Sequence, residues 1–246
     1  MTEVDAVSEK AHVFRRLHHG RLPGDPLVLP GPWDAASARV FAEAGFPALA
    51  TPSAGVAASL GYADGRTPAD EMFAAVARIV RAVDVPVSAD VEAGYGLAPK
   101  ELVERLLETG AVGCNLEDSV DGVLKDPREQ AEWLAEVRRA AGGRLFVNAR
   151  VDTFAHGDGD PGRAIERAAA YVAAGADCVY PIGAPTAVLP LLRSGIAGPL
   201  NVGGRVDGEG PSPAVLGELG ATRVTFGPGL QRWAAAALRE ISAELV

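Results

Sequence analysis

Short apolar runs alternate along this chain with longer segments whose apolar positions recur at helical spacing, and Gly, Pro or Asp marks each changeover. LVLP (27–30) is followed by the helical pattern DAASARVFAEAG from Asp34. PALAT (47–51) leads to a helix over 67–82, whose opening TPADEMF sets acidic residues at the positive end of the helix. VPVSAD (85–90) precedes a helix over 99–109, started by Pro99 and stopped by Gly110. VGCNLE (112–117) precedes a helix over 126–141, and RLFVNAR (144–150) one over 162–174. DCVYP (177–181), PLNV (199–202) and RVTFG (223–227) are followed by helices over 184–194, 212–219 and 230–245. Eight strand-then-helix units with uniformly apolar strands suit parallel strands buried on both faces. They predict an α/β protein, a single (β/α)8 TIM barrel over 1–246, with 8–19 as an extra N-terminal helix.

Length agrees, since such a barrel needs about 250 residues and the chain has 246. With 48% hydrophobic and 22% charged residues the chain has the makings of a large core, which excludes a disordered or fibrous protein. The 23 Lys+Arg against 32 Asp+Glu leave a net charge of −9, and the basic residues are scattered. That argues against a nucleic-acid partner or a membrane anchor. No signal-peptide core opens the chain and no run approaches about 18 apolar residues, so a cytoplasmic location is expected. Cys114 and Cys178 lie inside strand-type runs and read as buried thiols rather than a disulfide.

In such a barrel the working groups sit at the C-terminal ends of the strands. That rule collects Ser53, Gly55 and Asp64 after the second strand, Asp90 and Glu92 after the third, Glu117 and Asp118 after the fourth, and Asn148 and Arg150 on the fifth. Four or five carboxylates at one mouth repel one another, and a divalent cation compensates them. All-oxygen ligands favour Mg²⁺, with Mn²⁺ as the other candidate. A lone acid at a strand end is often only a helix cap, and Asp34 and Asp126 read that way. Trp33 is a candidate pocket wall or an aromatic core residue. His12, His18 and His19 on the N-terminal helix and His156 in a loop form no metal set. GDGDPG (157–162) has the spacing of a dinucleotide loop, but Asp158 and Asp160 would repel a pyrophosphate. NVGG (201–204) and FGPG (226–229) follow the last two strands as barrel phosphate sites do, which keeps open a metal-independent phosphate-ester enzyme; otherwise these glycines make tight turns.

LPGPWDAASARVFAEAGFPALATPSAGVAASLGYADG, VPVSADVEAGYG, VGCNLED and VNARVDTF, taken in order, resemble the strand-end motifs of the isocitrate lyase/phosphoenolpyruvate mutase superfamily. The resemblance implies a Mg²⁺-dependent barrel that makes or breaks C–C or P–C bonds α to a 2-oxo acid through an enolate-like intermediate. It implies Asp90 as the direct metal ligand, with Asp64, Glu92 and Glu117 binding through water. Ser53, Ala54 and Gly55 would form the small-residue loop that receives a substrate carboxylate, and Arg150 would pair with the substrate's anionic end. Trp33, Asn148 and Asn201 complete the expected substrate side, and Arg150, Glu117 and Asp64 the expected catalytic set. Glu92 stands where aspartate is usual, and Pro52 where many relatives have serine.

The chain departs from the pattern after Glu117. Isocitrate and methylisocitrate lyases carry a Lys-Lys/Arg-Cys-Gly-His loop whose cysteine is the acid/base, whereas this chain has DSVDGVLKDPREQ. Lys125 is a counterpart of the mutases' loop lysine, and their asparagine has none. The expectation is a lyase or mutase acting on a small anionic 2-oxo or 2-hydroxy carboxylate. The alternatives are an oxaloacetate- or phosphonopyruvate-type hydrolase, with Tyr95 or a metal-bound water as acid, and a non-catalytic binding relative. Relatives exchange the last helix between subunits, which implies a homo-oligomer, tetramer or dimer, through WAAAALREISAELV.

Overall fold

The computed structural model describes residues 3–246, with side chains from Ser8 onward. Eight parallel strands form the barrel: β1 (Leu27–Leu29), β2 (Leu49–Ala50), β3 (Val87–Asp90), β4 (Gly113–Leu116), β5 (Phe146–Val151), β6 (Cys178–Pro181), β7 (Asn201–Gly203) and β8 (Arg223–Thr225). They pair in two arcs, β2-β3-β4-β5-β6 and β7-β8-β1. A parallel bridge between Val179 and Leu200 joins the arcs on one side. On the other, the Ala50 N–H donates to the Pro30 carbonyl at 3.1 Å. Strands β2, β3 and β7 begin later than their apolar runs because Pro47, Pro86 and Pro199 lack the N–H that a ladder needs. The register sets Asp90 beside Asn115 and Asn115 beside Asn148, so three polar side chains meet across three strands.

The helices are α1 (Glu3–Leu17), α2 (Ala35–Glu43), α3 (Ser53–Leu60), α4 (Ala69–Arg81), α5 (Pro99–Glu108), α6 (Pro127–Ala141), α7 (Thr153–His156), α8 (Pro161–Ala173), α9 (Leu189–Gly195), α10 (Pro213–Glu218) and α11 (Gly229–Glu244). Asp34 and Asp126 cap α2 and α6 as expected, each accepting backbone N–H groups of the first turn. Three elements depart from the sequence reading. Ser53–Gly55 opens a helix, α3, rather than forming a loop; SAGVAASL is small or apolar on every side and shows no helical period. Ser119–Val120 and Val123–Leu124 form a hairpin, turned at Asp121 (φ 48°) and Gly122 (φ 77°), the Asp-Gly pair such a turn favours. The short α7 follows β5 directly.

One core lies between the strands and the outer helices. A second plugs the barrel bottom, where α1 inserts Phe14 among Leu27, Leu29, Val112, Phe146 and Cys178. Burying Phe14 completely contributes roughly 2–3 kcal/mol. Both cysteines are free and buried. Along α11, by contrast, Trp233, Leu238 and Ile241 are exposed. Among the described residues no helix is long and apolar enough to cross a membrane.

Candidate active site

A cavity of about 850 Å³ opens at the C-terminal ends of the strands. Asp64, Asp90, Glu92, Glu117, Asn148 and Arg150 all line it, with Ser53, Ala54 and Asn201. Two expected residues lie outside this lining. The Trp33 indole packs edge-on against Phe41, with ring centroids 6.4 Å apart, beside the capping box that opens α2. Gly55 is buried against Pro52, whose Cγ would lie 2.9 Å from any added Cβ, so glycine is required for packing.

Asp90 is the most heavily held acid. Its Oδ2 accepts from the Ser53 N–H at 3.2 Å and the Ser53 hydroxyl at 2.8 Å. Its Oδ1 accepts from Asn115 Nδ2 at 2.9 Å and the Glu92 N–H at 3.4 Å. Asn148 Nδ2 in turn donates to Asn115 Oδ1 at 2.9 Å, which fixes the Asn115 amide with its donor toward Asp90. The segment after Asp90 is bent by left-handed residues, Glu92 (φ 52°), Gly94 (φ 88°) and Tyr95 (φ 55°). Two non-glycine residues there store backbone strain at the mouth. Gly94 is also bounded by the Trp133 ring, 3.0 Å from where a Cβ would stand.

Arg150 reaches the mouth already engaged. Its Nη1 donates to Glu117 Oε1, and its Nε and Nη2 clamp the two oxygens of Asp152. Five guanidinium N–H bonds less three leave two for a substrate. Asp152 is fully buried and accepts from the Ser119 hydroxyl, while its N–H donates to Asp118 Oδ1 at 2.8 Å. Asp118, also fully buried, is held by Arg167 at 2.9 Å and the Tyr171 hydroxyl at 2.7 Å. Asp118 thus braces Arg150 from behind rather than facing the cavity. Arg167, Tyr171 and Asp152 were not singled out in the sequence. Asp152 was findable, two residues from Arg150 and so on the same side of the strand.

Burial, and then the Asp90 charge, push the Glu92 carboxyl up to about 7. The same two causes push Glu117 up to about 8, against the pull of Arg150. Arg150 stays firmly charged: burial opposes the charge, but the Asp152 hydrogen bonds and the charges of Asp152 and Glu117 outweigh it. Burial holds the Lys125 amine below its usual range; its Nζ stands 5.3 Å from the Trp133 ring centroid, on the cavity wall. Asp64 lies exposed at the rim. Among the described residues no three His, Cys, Asp or Glu side chains stand close enough to hold an ion as placed. Asp90 is turned to Ser53 and Asn115, and Glu117 to Arg150, which keeps the acids apart.

The family model described as phosphoenolpyruvate phosphomutase matches residues 14–246. The chain belongs to this family. Members of the phosphoenolpyruvate phosphomutase family share its barrel. A crystal structure from Burkholderia cenocepacia J2315 is 40% identical, with a TM-score of 0.87 over 96% of this chain and 99% of that one. The crystal structure of 2,3-dimethylmalate lyase is 30% identical, with a TM-score of 0.83 over 96% of this chain and 87% of that one. The protein Rv1998c of Mycobacterium tuberculosis (strain ATCC 25618 / H37Rv) is 36% identical over 216 residues, 87% of this chain and 81% of that one.

The remaining motifs divide between turns and the mouth, where Gly227 and Pro228 of FGPG line the cavity. In GDGDPG, Asp158 pairs with Arg163 and Asp160 caps α8. Gly204 packs where a Cβ would stand 2.8 Å from the Phe226 ring, and Gly229 opens α11. His156, placed in a loop by the sequence reading, ends α7 and lines the cavity.

Proposed function

We propose that the chain is a Mg²⁺-dependent lyase or mutase that makes or breaks a C–C or P–C bond of a small 2-oxo or 2-hydroxy carboxylate. The observation that carries this is that Asp90, Glu92, Glu117 and Arg150 all line one cavity in a barrel of this family. The donors suit the ion. All are oxygens, Glu92 Oε1 is buried without a partner, and two of the carboxyls hold protons that a cation can displace. Asp90 would hold it directly, and Asp64, Glu92 and Glu117 through water. Bound there, Mg²⁺ supplies the positive charge that offsets the negative charge developing as the bond breaks.

The chain's own groups do the rest. At the start of α3 the Ser53 N–H already donates to Asp90, so the Ala54 N–H beside it, at the positive end of the helix on the cavity lining, would receive a carboxylate. Arg150 offers its two free N–H bonds to the substrate's other anionic oxygens. The hairpin at 119–124 occupies the place of the cysteine loop, so proton transfer falls to Lys125, whose amine burial holds below its usual range. The test is a panel of oxaloacetate, phosphonopyruvate, isocitrate, methylisocitrate and substituted malates, assayed for pyruvate, glyoxylate or oxalate. One member should be turned over with Mg²⁺ and not after EDTA. Turnover unchanged by EDTA, or none across the panel with Mg²⁺, would overturn the proposal.

The exposed apolar face of α11 is proposed to pack on a second copy of the chain, as its exchange in relatives implies. Light scattering should return a dimer or tetramer of the 25.3 kDa chain; a monomer at micromolar concentration would contradict it.

A further inference from the structure

Arg223 is the largest fully buried side chain of the described residues, at 1% exposure. It opens β8 and points into the barrel beneath the acidic mouth, where it contributes to the cavity lining. Its Nε and Nη1 have no hydrogen-bond partner, and among the described residues no carboxylate lies within ion-pair distance. Beneath it the plug is neutral: His18 stacks on Phe146 at 4.0 Å, and burial pushes its imidazole down to about 3. The groups whose charge would bear on Arg223 are Cys178, Tyr180, Asp90 and Cys114. Burial pushes both thiols up to about 12 and the Tyr180 phenol above its usual range, so all three are neutral at pH 7. Asp90 is the one carboxylate among these four groups.

An unpaired buried guanidinium is among the costliest groups a core can hold, and an apolar side chain of similar volume would pack there more stably. Lysine could shed its proton in such a place, whereas arginine holds its charge more firmly, although burial sets this guanidinium below its usual range. We propose that Arg223 is a positioning residue, a buried positive charge on the same cavity as Asp90 that opposes cation binding and favours an anionic ligand there. The proposal rests on the metal-dependent reading. Its charge acts through the low-dielectric barrel interior, where screening is weak.

The two halves of this effect have opposite signs, which separates it from damage to the fold. The variants are Arg223→Met, which keeps the volume and drops the charge, and Arg223→Lys, whose buried amine loses its proton more readily and so keeps only part of the charge. Calorimetry first measures Mg²⁺ alone, then oxalate at saturating Mg²⁺. Arg223→Met should bind Mg²⁺ several-fold more tightly and oxalate about tenfold more weakly, a shift of about 1.4 kcal/mol, with a melting temperature equal to or above that of the parent. Arg223→Lys should return both affinities toward the parent values. If both affinities move in the same direction, or neither moves, while the parent binds both ligands, only the Arg223 proposal falls. If the parent protein binds no Mg²⁺, the metal-dependent reading falls first and this proposal with it.

Discussion

Asp90→Asn is expected to weaken Mg²⁺ or Mn²⁺ binding about 100-fold or more while the barrel still folds. The substitution removes the acid proposed to touch the ion and keeps the side chain's shape. Asp90 accepts four hydrogen bonds, two on each oxygen. An asparagine has one oxygen, so its NH₂ must face either the Ser53 N–H or the Asn115 amide, donor against donor. A buried donor without an acceptor costs about 1–3 kcal/mol, so a fall of several degrees in melting temperature accompanies the loss of binding. The parent protein's affinity should also rise with pH. Glu92 and Glu117 hold their protons up to about 7 and about 8 without the ion, and a bound cation must displace them. Affinity is therefore low below about pH 7 and approaches its plateau above about pH 8, with protons released on binding. Calorimetry in buffers of different ionisation enthalpy reads the affinity and the proton count together. Binding by Asp90→Asn within threefold of the parent, or a parent affinity level across that range, would contradict the assignment.

Much of this site is legible in the sequence, because strand ends in a closed parallel barrel converge whatever the intervening helices do. Asp90, Glu92, Glu117 and Arg150 are found by that rule alone, and the cavity brings them together. Trp33 obeys the same rule and misses the lining, since its indole packs on Phe41 and the core instead. Helix α3 is hidden for another reason: a segment buried on several sides shows no period to read. The brace behind Arg150 is harder still. Asp118 meets Arg167 and Tyr171 from 49 and 53 residues away, a contact that only the docking of α8 on the barrel creates. Arg223 is the most deceptive case, a buried guanidinium inside a run, RVTFG, that reads as an ordinary buried strand.

Arg150→Lys is the second substitution with a large expected effect, and it tests that brace together with the substrate-side role of Arg150. A lysine ammonium is a point charge and cannot span both oxygens of Asp152 while also meeting Glu117. It will satisfy one acid and leave the other, and it presents no planar pair of N–H bonds to a ligand. Each charge-assisted hydrogen bond contributes about 1.5–3 kcal/mol, so losing the fork should weaken oxalate binding at saturating Mg²⁺ about 100-fold, equivalent to about 2.7 kcal/mol. Mg²⁺ affinity itself should change less than threefold, since Asp90 and its donors are untouched. Asp152→Asn serves as the graded control. It retains one acceptor for the guanidinium and the Ser119 contact, so a loss of about tenfold is expected. An Arg150→Lys protein whose oxalate affinity stays within threefold of the parent would show that the free N–H bonds of Arg150 are not what the anion meets. The anion would then rest on the N-terminus of α3 and the cation alone.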